Sequence, residues 1–236
     1  MPDLPQQQPP DRVLAGMAEL GVQPVELTPE LAERRAAVAE LGTALRALTE
    51  AAVTSEVPPS VLREAARSAR GLAGQLRAAR RHPGRPGSVD DLLRGQRFFN
   101  PVVGPGNPVA PPMRVTLESG VAIGTCILGP AYEGPLGFAH GGISALLLDQ
   151  VMGYATAARG LPGVTGRLQV RYHEAVPLGR PLVLRGEVGD VLGVRVAVRG
   201  SLGLADEPGP PLVAAEASFL MLRPEQAQRL FGEALG

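Results

Sequence analysis

A His-Gly-Gly turn opening an apolar helix constrains this chain more than any other feature. The stretch reads Gly137-Phe138-Ala139-His140-Gly141-Gly142-Ile143-Ser144-Ala145-Leu146-Leu147-Leu148-Asp149, and the pattern predicts a helix over Gly141–Arg159, ending at Gly160. That helix is hydrophobic nearly all round, so other structure must cover most of it. Its glycines leave backbone N–H groups at the positive end of the helix, where a developing oxyanion can be held. One acid, Asp149, stands among the aliphatic residues. An acidic side chain there costs several kcal/mol unless it is partnered or used. Carboxylate and oxyanion donors together are what acyl transfer requires.

The residues around this helix read as strands. Met113–Glu118 and Val121–Leu128 flank Ser119-Gly120 as a hairpin. Further strands are expected over Thr165–His173, Pro181–Val188, Val191–Leu202 and Leu212–Leu222, with Gly189-Asp190 turning the middle pair. In Val164–His173 the positions Leu168, Val170 and Tyr172 are apolar, while Arg167, Gln169, Arg171 and His173 are polar. That is the period of a strand with one buried face, and it places Thr165 on the polar side. One long apolar helix among antiparallel strands is an α+β arrangement, and a curved sheet wrapped around the helix is the economical way to bury it.

The N-terminal third is different. Residues 1–27 begin with a Pro- and Gln-rich leader, and residues 28–95 form a helical extension before the main domain at 96–236. Thr28-Pro29-Glu30-Leu31 has an N-cap, a first-turn proline and an acid in the favoured order. Helical spacing runs through Ala47 and resumes from about Val61 to Arg81 after Pro58-Pro59-Ser60. These two helices suit a hairpin packed on the main domain or on a partner. A breaker-rich linker follows at His82–Ser88, then a short helix near Val89–Leu93, then an extended segment at Asn100–Pro112. A short amphipathic helix is expected at Pro224–Leu235.

Composition excludes more than it selects. Formal net charge is zero over 236 residues, so bulk electrostatics favours neither nucleic acid nor a membrane surface as partner. The single cysteine, Cys126, forbids an intrachain disulfide and sits in a strand-like run, which suits a buried inert thiol in a reducing compartment. With no apolar run of membrane-spanning length, the expectation is a cytoplasmic protein. Cys126, His82 and His173 lack the spacing of a metal cluster, and no cofactor is expected.

From about Asn107 to Leu222 the chain resembles hot-dog-fold acyl-CoA thioesterases, of the branch that includes the phenylacetate-degradation enzymes. The markers are Asn107-Pro108 with Ala110-Pro111-Pro112, Tyr132-Glu133-Gly134-Pro135, His140-Gly141-Gly142, Asp149, Thr165, Tyr172 through Leu178, and Ala214-Ala215-Glu216-Ala217. The resemblance implies hydrolysis of an acyl-CoA thioester, with coenzyme A as part of the substrate. It implies Asp149 as catalytic carboxylate, Gly141 as oxyanion-hole amide, Thr165 as the water-positioning hydroxyl, and His140 as the residue that holds the turn or polarises the carbonyl. Gly142 is assigned to substrate binding beside them. Tyr172-His173-Glu174-Ala175 departs from the family's Tyr-(Lys/Arg)-Arg-Pro, so any phosphate grip made there in relatives must come from elsewhere here.

Helix geometry adds a constraint of its own. Gly141 and Asp149 are eight residues apart on one helix, so ~12 Å separates them along its axis at 1.5 Å per residue. A base must come within hydrogen-bond reach of its proton, directly or through one water. The simplest resolution is a two-fold homodimer, alone or within a dimer of dimers, with each site built from both chains. The rival readings are a non-catalytic hot-dog that binds acyl-CoA or an acyl carrier, and an N-terminal interaction module that the hot-dog only dimerises. A hot-dog dehydratase fits less well, because no Asp/His pairing of the kind hydratases use is present.

Overall fold

The computed structural model describes residues 25–226, apart from positions 83, 93, 112, 162 and 224. Most of the leader and most of the expected C-terminal helix lie outside the described residues. Helix α1, Pro29–Val53, starts where its cap predicts: the Thr28 hydroxyl accepts the Leu31 amide at 3.3 Å. It continues beyond Ala47 because Leu48–Val53 offers no breaker.

Helix α1 docks on the segment that leads into the sheet. Its Arg35 Nε donates to the Val89 carbonyl at 2.9 Å and its guanidinium lies over the Phe98 ring. Arg46 Nη1 donates to the carbonyls of Pro105 and Asn107, both at 3.1 Å. A Cβ at Gly42 would stand 2.2 Å from the Pro105 carbonyl oxygen, so this glycine is what permits the close approach. Helix α2, Pro59–Leu76, buries none of its residues. Of the two helices expected to pack on the main domain or on a partner, α1 docks on the main domain within this chain, while α2 buries nothing in it. The short helix expected near Val89–Leu93 does not form: the described residues there make turns and an isolated Asp91–Gln96 bridge instead. Asp90 prevents a helix by turning its carboxylate onto the Gly87 and Phe98 amides.

The remaining elements build the hot-dog. Six antiparallel strands, β1 (Arg114–Glu118), β2 (Val121–Ile127), β3 (Gly163–Tyr172), β4 (Pro181–Leu192), β5 (Arg195–Leu204) and β6 (Val213–Met221), lie in the order β1-β2-β4-β5-β6-β3. Helix α3, Gly141–Ala158, crosses one face and touches all six strands. Alternate residues face it: Leu182, Leu184, Val196, Val198, Leu202, Val213, Ala215 and Phe219 meet Leu147, Leu148, Val151 and Met152 in one apolar core. The other face carries Arg185, Glu187, Arg199 and Glu216 in solvent. Burying one face only is what an antiparallel sheet tolerates.

The middle turn falls later than expected. β4 and β5 turn at Gly193-Val194, with Gly193 at φ +58°, while Gly189-Asp190 forms a bulge between Val188 and Val191. Both dipeptides offer turn chemistry; valines on either side of the bulge extend the ladder past the first one. The sheet thus has two long central strands and two edges, β1 and β3.

Candidate active site

Helix α3 is one uninterrupted run, so the axial separation between Gly141 and Asp149 stands as the spacing predicts. His140 caps it. Its Nδ1 accepts the Gly142 amide at 3.0 Å, and its carbonyl accepts the Ile143 amide at 2.9 Å. An imidazole that accepts at Nδ1 carries its neutral-form proton on Nε2, which is then free to donate outward. With Gly142 and Ile143 engaged, the Gly141 N–H is the first-turn amide left without an acceptor among the described residues. Gly142 therefore shapes the turn and offers no open amide of its own.

Tyr172 belongs to this end of the helix. Its hydroxyl donates to the Gly141 carbonyl at 2.9 Å, and a Cβ at Gly141 would meet its ring at 3.3 Å. The alternating pattern puts Tyr172 on the buried face, yet it is 52% exposed: it is the last residue of β3 and lies beside the first residue of the helix rather than its middle. Its apolar body and polar tip suit that position. Sequence alone signals the residue only through its place in the motif.

Asp149 lies two turns further along and is half-buried. Thr165 Oγ1 donates to its Oδ1 at 2.7 Å, and no cation pairs with it among the described residues. Thr165 does not take the polar side that its parity predicts. It opposes Phe219, a core residue, while Arg167 opposes Ser218: the strand advances two residues where β6 advances one. The extra residue is Gly166, and a bulge of this kind reverses which parity faces the core. Alternation is a reliable guide only as long as the ladder is regular.

Edge strand β3 therefore spans both parts of the site: Tyr172 and Gly141 at one end, Thr165 and Asp149 at the other. β3 pairs with β6 on one side, and its other edge has no strand partner among the described residues. Leu146, 37% exposed, occupies the helix surface between the two ends. Cys126, in β2, turns into the core, and burial pushes its thiol up to about 12. No helix among the described residues is long and apolar enough to cross a membrane.

A long helix held by a six-stranded antiparallel sheet, opening on a His-Gly-Gly cap with an acid two turns on, defines a hot-dog thioesterase framework. Comparison with known proteins agrees. The Thioesterase superfamily model matches residues 136–201. The crystal structure of protein RHA08564, a thioesterase superfamily protein, is 34% identical, with a TM-score of 0.69 over 78% of this chain and 94% of that one. The chain belongs to the thioesterase superfamily. The matched share exceeds the sheet and helix alone, so that relative also covers part of the N-terminal region. Also similar are the Escherichia coli PaaI protein from the phenylacetic acid degradation operon (14% identity, TM-score 0.44, covering 48% of this chain and 80% of that one) and a Streptococcus mutans protein bound to acetyl CoA (22%, 0.43, 47% and 88%).

Proposed function

We propose that this protein hydrolyses acyl-CoA thioesters, with Asp149 as general base and the Gly141 amide as oxyanion donor. The observation that carries the reading is the short Thr165–Asp149 hydrogen bond on a half-buried helix face free of any cation. No cation neutralises this carboxylate among the described residues. It holds a hydroxyl, whose lone pairs remain available to a water that also reaches the carboxylate. Asp149 takes a proton from that water, and the hydroxide attacks the thioester carbonyl. The oxygen of the tetrahedral intermediate is held by the Gly141 N–H and the helix dipole, with His140 Nε2–H beside it. Collapse expels the CoA thiolate, which takes up the proton. The chemistry uses no cofactor.

Oligomerisation is part of the proposal. A carbonyl at Gly141 lies about 12 Å along the axis from the same chain's Asp149, too far for proton transfer through one water. Antiparallel pairing of β3 with its own copy, about a two-fold near Leu168 and Gln169, sets the Thr165 end of one protomer beside the Tyr172 end of the other. Each dimer then holds two sites with Asp149 and Thr165 from one chain and Gly141, His140 and Tyr172 from its partner.

The test is a thiol-release assay across acyl-CoA chain lengths on wild type and Asp149→Asn. Wild-type turnover and a loss of about a thousandfold or more in the variant, at unchanged melting temperature, support the assignment. Equal turnover in both removes Asp149 from the mechanism. One turnover in ¹⁸O-water tests for a nucleophile: unlabelled acid with label retained on Asp149 requires an anhydride opened at the Asp149 carbonyl, an outcome that direct water attack does not produce.

A further inference from the structure

The bulge at Gly166 has no counterpart among the residues assigned so far, and it stands next to the pair on which the proposed chemistry depends. Along β3, Leu168, Val170 and Tyr172 oppose Ala217, Ala215 and Val213, whereas Arg167, Gln169 and Arg171 oppose Ser218, Glu216 and Ala214. Continued without interruption, that alternation would aim Thr165 away from α3, on the same side as Arg167. The extra residue returns it to the helix side, opposite Phe219, where its hydroxyl reaches Asp149 at 2.7 Å. Only Gly163, Val164 and Thr165 precede the bulge in β3, so a slip of this short end breaks few ladder bonds. Something local must hold the register.

Leu220 of the neighbouring strand supplies that hold. A Cβ built at Gly166 would lie 2.9 Å from Leu220 Cγ, 3.0 Å from its Cδ1 and 3.3 Å from the Ser218 carbonyl oxygen. The Leu220 side chain thus fills the space where a side chain at position 166 would go. We infer that Gly166 is a positioning residue of the site: seated against Leu220, it keeps β3 bulged and so aims the Thr165 hydroxyl at Asp149. This inference rests on the proposed catalytic role of Asp149. Its mechanism is geometric: with Oδ1 held by Thr165, the carboxylate has one rotational setting and presents Oδ2.

The consequence is an unusual ranking of variants. A side chain at 166 must displace Leu220 or straighten the ladder, and a straightened ladder turns Thr165 outward. Deleting Gly166 leaves Thr165 opposite Phe219 in a regular ladder, still facing the helix. The expected result is that Gly166→Val lowers kcat about ten- to a hundredfold, as Thr165→Val does, with little change in KM, as a small misplacement of a catalytic group does. Adding it to Thr165→Val should cost nothing more, because both act on the same contact. The deletion should stay within a few-fold of wild type, and Leu220→Ala should restore Gly166→Ala.

A second measurement reads the geometry without turnover. In an Asp149→Cys/Thr165→Cys protein the two positions face each other, and oxidation should join them as a disulfide while buried Cys126 stays reduced. Adding Gly166→Val should abolish that bond; deleting Gly166 should not. Disulfide formation that ignores Gly166→Val overturns the inference, as does a deletion variant as impaired as Thr165→Val. Should the wild type hydrolyse no acyl-CoA, the catalytic reading fails while the disulfide experiment still decides what Gly166 does.

Discussion

Strands β4 and β3 each carry a one-residue bulge, and the two could hardly differ more in consequence. In β4 the extra residue lies at Gly189-Asp190, past the last buried position, Val188, where a change of facing exposes nothing that matters. In β3 it lies one residue from Thr165 and decides whether a hydroxyl meets Asp149. β4 is also central, pressed against the helix backbone, while β3 is an edge with one strand neighbour. The centre of this sheet is built for packing, while its edge carries the proposed chemistry and the proposed contact with a second copy.

That contrast can be broken most sharply at the edge. If the site is shared, two inactive variants should repair each other. Asp149→Asn lacks the base, and Gly141→Val drives a side chain against the Tyr172 ring beside the oxyanion amide. Each alone should be nearly inactive. Co-expressed, they should recover about one quarter of wild-type activity, since half of the dimers are mixed and each mixed dimer keeps one intact site. No recovery in a verified mixed dimer would show that each chain works alone.

At the centre the expected effect is on stability. A Cβ at Gly186 would stand 2.7 Å from the Val151 carbonyl oxygen and 3.1 Å from Met152 Cα, which are helix backbone and cannot swing aside. Gly186→Val should cost about 3 kcal/mol or more in denaturant unfolding, at the upper end of overpacking. Gly189→Val, in the exposed β4 bulge and with its nearest contact at 3.6 Å, should cost well under half of that. Equal costs would erase the distinction between centre and periphery.

Smaller still is the loss of one hydroxyl. Thr165→Val should reduce kcat by about ten- to a hundredfold, roughly 1.4–2.7 kcal/mol of barrier, and leave the melting temperature within a degree or two. The smallest effect expected is at the buried thiol. With its titration pushed up to about 12, Cys126 remains protonated at pH 8, and the thiolate is the form that alkylates. Iodoacetamide at pH 8 should therefore label it only after denaturation; rapid labelling of the folded protein would show that the core opens there.

Much of this was legible in the residues. The Thr28 cap, the His-Gly-Gly helix start, the six strands and the separation of Gly141 from Asp149 all follow from local chemistry and a fixed rise per residue. Failures came where two local signals competed or where the outcome lay in contacts. Gly189-Asp190 and Gly193-Val194 both suit a turn, and only the pairing of Val188 with Val198 and Val191 with Val196 shows which one turns. Asp90 took a helix start away from Val89–Leu93 by capping other amides. Tyr172 reads as a core residue until its strand is seen to end beside the first residue of the helix.

The sequence by itself determined that a cap, a helix and an acid share one axis, because helical rise and capping depend on neighbours within four residues. Only the tertiary structure showed how the Thr165 hydroxyl, placed by alternation on the opposite side, comes to meet that acid. That depended on one inserted glycine changing the facing of an edge strand, and facing is set by the partner across the ladder, more than fifty residues away in the chain.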